Sequence, residues 1–195
     1  MKIQSLCVFC GSSSGARPEY AAAARSLACL LVEGGTRLIY GGGNVGLMGI
    51  LADEMLAQGG TVIGVIPRHL LEREVGHLQV TELKVVGSMH ERKALMADLA
   101  DAFVALPGGI GTFEELFEIL TWAQLGLHDK PCGLLDVAGY YQPLIEMLRR
   151  AAAERFLRPE HLNLLTVATD PAELLTALAG HRPAPREKWL DRDET

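Results

Sequence analysis

Ten consecutive residues, Leu106-Pro107-Gly108-Gly109-Ile110-Gly111-Thr112-Phe113-Glu114-Glu115, place three glycines, a hydroxyl and two carboxylates between a short apolar run and a long helical pattern. The run is Ala102-Phe103-Val104-Ala105, and the helical pattern carries on through Trp122. A strand that enters a glycine turn and leaves as a helix points backbone N–H groups outward at the positive end of a helix dipole, which suits a phosphate. Glu115 follows one turn later, within reach of whatever that phosphate belongs to. These residues read as the site of an enzyme or binder of a phosphorylated small molecule.

A cation precedes this stretch. Ser88-Met89-His90-Glu91 has capping-box spacing, so Ser88 starts a helix that projects Arg92 and Lys93 from its first turns. Arg92 then lies beyond the carboxyl end of a strand near 80–86, and Glu115 beyond one near 102–106; if those strands are neighbours, the two side chains face one crevice. Plainer readings compete. Thr112-Phe113-Glu114-Glu115 is itself a T-x-x-E capping box, in which Glu115 does no more than reach back to the Thr112 N–H. Arg92 and Lys93 read equally as a solvated helix face.

Two further polar turns fall at strand ends, Cys10-Gly11-Ser12-Ser13-Ser14-Gly15 and Gly41-Gly42-Gly43-Asn44-Val45-Gly46. The first reads as an ordinary polar turn before a substrate contact. The second formally matches the G-x-G-x-x-G dinucleotide fingerprint, yet Pro67-Arg68 stand where the ribose-binding acid belongs. Its glycines read better as letting backbone approach a smaller ligand closely, or as a tight turn. Cys7-Val8-Phe9-Cys10 is formally a C-x-x-C, but it lies in a strand rather than at a helix start, and Cys29 and Cys132 stand alone. Reduced, buried thiols are the reading, with no metal site. The six histidines show no paired ligand spacing either.

The elements that must position these residues alternate between strand-length apolar runs and longer helical periods, the pattern of a parallel sheet covered on both faces. Strands are expected near 3–9, 37–40, 61–66, 80–86, 102–106, 132–136 and 164–168. Helices are expected near 18–33, 45–58, 88–100, 112–126, 140–156 and 171–179. Pro18 and Pro171 suit first helical turns, and Gly34-Gly35 and Gly59-Gly60 suit helix ends. The fold class is a single α/β domain over 1–180, a doubly wound, Rossmann-like parallel sheet in which ligands bind where the strand order reverses. Residues 181–195 read as an extended tail anchored by Trp189 and Leu190. The helix through 113–127 is apolar on more than one face, which asks for cover as a central core helix, as part of a dimer interface, or both.

Length and composition agree with this. A chain of 195 residues buries roughly 70 % of the surface its unfolded form exposes. With 49 % hydrophobic and 22 % charged residues the composition is globular, and a net charge of −6 leaves no footprint for nucleic acid or an anionic membrane. No apolar run approaches the ~20 residues of a membrane span. The stretch after Lys2 is too short for a signal peptide, which leaves a cytoplasmic location.

The motifs resemble one family. Pro107-Gly108-Gly109-Ile110-Gly111-Thr112-Phe113-Glu114-Glu115 is similar to the P-G-G-x-G-T-x-x-E signature of the Lonely Guy nucleotide phosphoribohydrolases, often mislabelled lysine decarboxylases, and Met89-His90-Glu91-Arg92-Lys93 resembles their M-H-x-R-K element. Segments around Cys7, around Gly41 to Gly49, and Thr121-Trp122-Ala123-Gln124-Leu125-Gly126 look like the family too, so that the resemblance spans roughly 5 to 145. It implies hydrolysis of the N-glycosidic bond of purine nucleoside 5′-monophosphates, AMP or N6-modified cytokinin forms, to free base and ribose 5-phosphate. It implies Arg92 and Glu115 as the catalytic pair. Substrate binding falls to Glu74, Lys93, Gly43, Thr121, Glu114 and the turn of Gly108, Gly109, Ile110, Gly111 and Thr112, the turn holding the 5′-phosphate. At least a homodimer is implied, and no cofactor. Glu74 is the least matched of these, because Arg73-Glu74-Val75-Gly76 only partly follows the family pattern.

The chemistry suits the residues. Cleaving a ribosyl bond builds positive charge on C1′ and the ring oxygen, which a carboxylate stabilises while orienting or deprotonating water. Arg92 stays charged throughout and is read as a positioning and electrostatic group rather than a proton donor. Two rivals are weighed: a non-catalytic nucleotide-binding module, against which the Arg92 and Glu115 combination argues, and a pyridoxal-type decarboxylase, for which none of the five lysines sits in a cofactor motif.

Overall fold

A computed structural model describes residues 2–72 and 76–182. Glu74 and the tail with Trp189 and Leu190 lie outside the described residues. Seven strands form one parallel sheet: β1 (Ser5–Phe9), β2 (Arg37–Tyr40), β3 (Val62–Pro67), β4 (Glu82–Val86), β5 (Ala102–Ala105), β6 (Cys132–Leu135) and β7 (Leu165–Ala168). Their order is β4-β3-β2-β1-β5-β6-β7, so the chain winds outward in one direction from β1, returns, and winds outward in the other from β5. The reversal falls between β1 and β5, where Leu6 to Phe9 register with Ala102 to Ala105.

Period-two alternation sorts the strand residues between two cores. Leu6, Val8 and Cys10 point into a cluster with Leu27, Leu31, Leu51 and Leu174, which come from α1 (Pro18–Glu33), α2 (Gly46–Ala57) and α7 (Pro171–Ala179). Cys7 and Phe9 point the other way, against Met96, Ala97 and Ile119 of α4 (Met89–Leu99) and α5 (Ile110–Gln124). The two cysteines of the C-x-x-C thus lie in different cores, and all four are free. Burial pushes the Cys132 thiol up to about 12 and those of Cys7 and Cys10 well up, as inert structural thiols require.

Punctuation sets the helix ends. Pro18 and Pro171 occupy first turns, the Ser88 hydroxyl accepts from the Glu91 N–H at 3.1 Å, and Asp170 accepts from the Ala172 and Glu173 N–H groups. A short α3 (Arg68–Leu71) follows β3 without any pattern having announced it. The expected helix at 140 begins later, as α6 (Gln142–Ala153), because 137–139 form a 3₁₀ turn in which Ala138 has φ +53°. The cause is Asp136, whose buried carboxylate takes the Tyr141 N–H at 2.7 Å and the Gln142 amide, holding that turn against the end of β6. A second 3₁₀ segment, Pro159–Leu164, leads into β7.

Candidate active site

The three polar turns meet at the β1/β5 switch point. The Gly11 N–H donates to the Pro107 carbonyl at 3.1 Å, and the Gly11 carbonyl accepts from the Leu47 N–H at 3.0 Å and more loosely from that of Met48. Contact is close enough to exclude side chains: a Cβ on Gly46, at φ +57°, would lie 2.3 Å from the Ser12 carbonyl carbon. Two first-turn donors of α2, the Leu47 and Met48 N–H groups, turn onto Gly11, so this end of the G-x-G-x-x-G serves packing between turns. Gly43 belongs to the same layer, bridged antiparallel to Gly76, while the Gly42 carbonyl accepts from the His77 N–H at 2.8 Å.

The start of α5 differs. Its N-cap is Gly109, and the Phe113 N–H already closes on the Gly109 carbonyl at 3.1 Å. The N–H groups of Gly108, Gly109, Ile110, Gly111 and Thr112 have no acceptor among the described residues. Gly109, Ile110 and Gly111 are exposed, so these donors face a ligand or water at the positive end of a 15-residue helix. Thr112 is buried within the helix, and a Cβ on Gly108 would fall 2.1 Å from its Oγ1. The capping-box reading of Thr112 and Glu115 therefore fails, because the helix starts two residues before Thr112.

Glu115 turns instead to Arg92. Nη2 of Arg92 donates to Glu115 Oε1 at 2.7 Å, with the two residues 9 % and 7 % exposed. Strand adjacency is not what joins them, since β4 and β5 are separated by β3, β2 and β1. After leaving β4, α4 crosses back beneath β3, β2 and β1 and carries Arg92 to the switch point. Gly41 makes room there: a Cβ on it would lie 2.3 Å from Arg92 Nη2. Nε of Arg92 is buried without a hydrogen-bond partner among the described residues, and Nη1 has only a long contact to Met89 Sδ at 3.8 Å. The guanidinium thus keeps N–H groups that no described residue takes up. Burial raises the Glu115 carboxyl above its ordinary value; Arg92 opposes this and Glu114 adds to it.

Lys93, one residue on, is engaged elsewhere. Its ammonium pairs with Glu114 and, at 3.0 Å, with Glu118. Burial alone would lower it, but the hydrogen bonds it donates to the two carboxylates prevail and raise it, so Lys93 stays protonated and pins α4 to α5 on either side of Glu115. Thr121 is not part of this constellation. Its hydroxyl donates to the Phe117 carbonyl at 2.7 Å, and the side chain lines a cavity of about 310 Å³ between α5, α6 and the segment before β7. Helical periodicity turns that face of α5 away from Glu115.

Tyrosines after β6, which the sequence reading placed inside a helix, support the loop from behind. Tyr140 donates to the Gly108 carbonyl at 2.5 Å and Tyr141 to the Leu106 carbonyl at 2.6 Å. Among the described residues no group of three or more His, Cys, Asp or Glu is placed to hold a metal ion.

A family model described as "Possible lysine decarboxylase" matches residues 48–178. Two relatives from Arabidopsis thaliana are named cytokinin riboside 5′-monophosphate phosphoribohydrolases. LOG1 is 46 % identical over 193 residues, covering 96 % of this chain and 91 % of its own, and LOG7 is 48 % identical over 182 residues, covering 93 % and 84 %. Among solved structures, the molybdenum cofactor binding protein of Rippkaea orientalis superposes with a TM-score of 0.69 over 92 % of this chain and 98 % of its own, at 23 % identity, a likeness of fold. The decarboxylase description asks for a lysine amine that can lose its proton, and at Lys93 the carboxylates favour the opposite.

Proposed function

The chain belongs to the Lonely Guy family, and from that premise we propose that it hydrolyses the N-glycosidic bond of purine nucleoside 5′-monophosphates, releasing free base and ribose 5-phosphate. The observation that carries this reading is the buried Arg92–Glu115 pair at 2.7 Å beside the unpaired N–H groups that open α5. In it, those N–H groups and Thr112 take the 5′-phosphate, which sets the ribose across the crevice toward Glu115. Glu115 stabilises the positive charge that develops at C1′ and the ring oxygen and accepts a proton from attacking water, for which a raised carboxyl is the better base. Arg92 holds Glu115 and offers its remaining N–H groups to ribose or phosphate oxygens. The departing base takes its proton from water. Gly43 permits close approach of the substrate, Glu114 and Lys93 fix the wall of the crevice, and the family resemblance assigns Glu74 to substrate.

The experiment is incubation of purified protein with a panel of nucleoside mono-, di- and triphosphates, AMP and isopentenyladenosine monophosphate included, with base and ribose 5-phosphate quantified. Release of both products in equal amounts from a monophosphate supports the reading. Binding without turnover across the panel refutes it in favour of a nucleotide-binding module.

The partner proposed is a second copy. α6 contributes no buried residue, Met147 is 66 % exposed, Leu125 just after α5 is exposed, and Phe117 is exposed beside the 310 Å³ cavity that it lines together with Thr121. Closing this surface covers the second apolar face of α5 and gives Thr121 its place. Light scattering that returns a monomer mass refutes it. No helix among the described residues is long and apolar enough to cross a membrane, and four free cysteines suit the reducing cytoplasm in which we place the enzyme.

A further inference from the structure

Three successive carbonyls before α5 are each held from behind, by two adjacent tyrosines and by Gly11. Leu106 accepts from the Tyr141 hydroxyl at 2.6 Å, Pro107 from the Gly11 N–H at 3.1 Å and Gly108 from the Tyr140 hydroxyl at 2.5 Å. In a planar trans peptide the C=O and the following N–H point in opposite directions. A partner behind the Pro107 carbonyl therefore aims the Gly108 N–H forward, and one behind the Gly108 carbonyl aims the Gly109 N–H forward, into the space that the α5 N-terminus faces. Tyr140 is itself fixed edge-on between Tyr20 of α1, ring centroids 5.8 Å apart, and Tyr141 at 4.9 Å. The turn that carries both tyrosines is tied to β6 through Asp136.

We propose that Tyr140 is a positioning residue of the anion subsite: its phenol fixes the Gly108–Gly109 peptide so that the N–H groups opening α5 converge on a phosphate. Neither composition nor motif spacing assigns it this task. The inference rests on the reading that this turn takes the 5′-phosphate. Tyr141 is the internal comparison. It is 1 % exposed, and the carbonyl it satisfies, on Leu106, is buried, so its hydroxyl supports folding. Tyr140 is half-buried, and the carbonyl it serves lies at the edge of the crevice, where water replaces a lost hydroxyl.

The test compares wild type, Tyr140→Phe and Tyr141→Phe in steady-state kinetics on AMP and adenosine, with inhibition by ribose 5-phosphate and melting temperature read alongside. Tyr140→Phe keeps the ring packing and releases the peptide. Its KM for AMP and inhibition constant for ribose 5-phosphate should rise ~10-fold, the effect of misaligned charge-assisted donors, while efficiency on adenosine and melting temperature hold. Tyr141→Phe should lose melting temperature with the AMP-to-adenosine preference preserved. A Tyr140→Phe enzyme whose two substrates decline in parallel, or in which neither changes, overturns the proposal. If wild type itself treats AMP and adenosine alike, the phosphate reading of the turn falls first and this inference with it, an outcome visible without any variant.

Discussion

Replacing Glu115 by glutamine separates catalysis from folding at this site. The carboxylate is 7 % exposed and accepts from Arg92 at 2.7 Å. Glutamine keeps the volume and, with its amide oxygen toward Arg92, the acceptor; only the charge goes. Two effects on stability then oppose each other. Arg92 loses its counter-ion, and removing one partner of a buried pair outright costs roughly 3–5 kcal/mol, which a retained neutral acceptor reduces to about 1–2 kcal/mol. Against that, burial already raises the Glu115 carboxyl and Arg92 offsets this only in part, so the ionised form is harder to hold folded than unfolded and glutamine removes that penalty. The net change in stability should stay within about 1 kcal/mol. No such compensation exists in the transition state, where the lost charge faces the developing cation and the attacking water has no base. The expected fall in kcat is about 10²–10³-fold, roughly 2.7–4 kcal/mol, with KM little changed. Initial rates of base release from AMP, measured beside a urea melt of the same preparation, give both numbers. A folded Glu115→Gln enzyme with kcat within ~10-fold of wild type would refute the catalytic reasoning and leave Glu115 as a structural counter-ion to Arg92.

Further outcomes follow from the same geometry. Arg92→Lys keeps the charge and loses the planar fork, so efficiency should drop ~10-fold or more, about 1.4 kcal/mol, with the pH profile unshifted, and Arg92→Ala should be worse; wild-type rates for the lysine variant would make Arg92 dispensable, and loss of a basic-side ionisation would make it a proton carrier. Monophosphates should be cleaved far better than nucleosides or triphosphates, because contacts remote from C1′ orient the sugar; equal efficiencies across the three would count against a 5′-phosphate site. Since the folded Glu115 carboxyl titrates above its ordinary 4.5, its contribution favours the folded state fully below that value and is lost as pH rises through the raised one. Melting temperature against pH should accordingly flatten in Glu115→Gln, and superimposable curves would contradict the shift. Gly108→Ala, whose Cβ would lie 2.1 Å from Thr112 Oγ1 and 2.9 Å from the Gly11 N, should cost about 1–3 kcal/mol and most of the monophosphate activity, whereas Gly109→Ala, with nothing within 4 Å, should fold normally; equal stability of the two would show that the turns are not in contact.

The amino-acid sequence by itself determined the local levels of this protein. Apolar period, proline and glycine punctuation and the Ser88 cap set seven strands and six helices, because those signals act between residues a few positions apart. Motif spacing also singled out Arg92, Glu115 and the glycine turn. The tertiary structure alone decided how they meet. Neighbouring strands were the route by which the sequence could bring Arg92 to Glu115; the fold does it by laying α4 back across three strands, a matter of which apolar face covers which part of the sheet, and no local pattern encodes it. For the same reason, spacing left the G-x-G-x-x-G and the Thr112 capping box open. Whether a helix N-terminus is free depends on what packs against it: the Gly11 carbonyl takes the Leu47 and Met48 N–H groups of α2, while those opening α5 stay unpaired among the described residues. Tyr140, 32 residues beyond Gly108, reaches its carbonyl only because β6 lies beside β5. Hydrogen-bond donors on a phenol carry no sequence signature of the acceptor they will find, and that pairing is settled by packing.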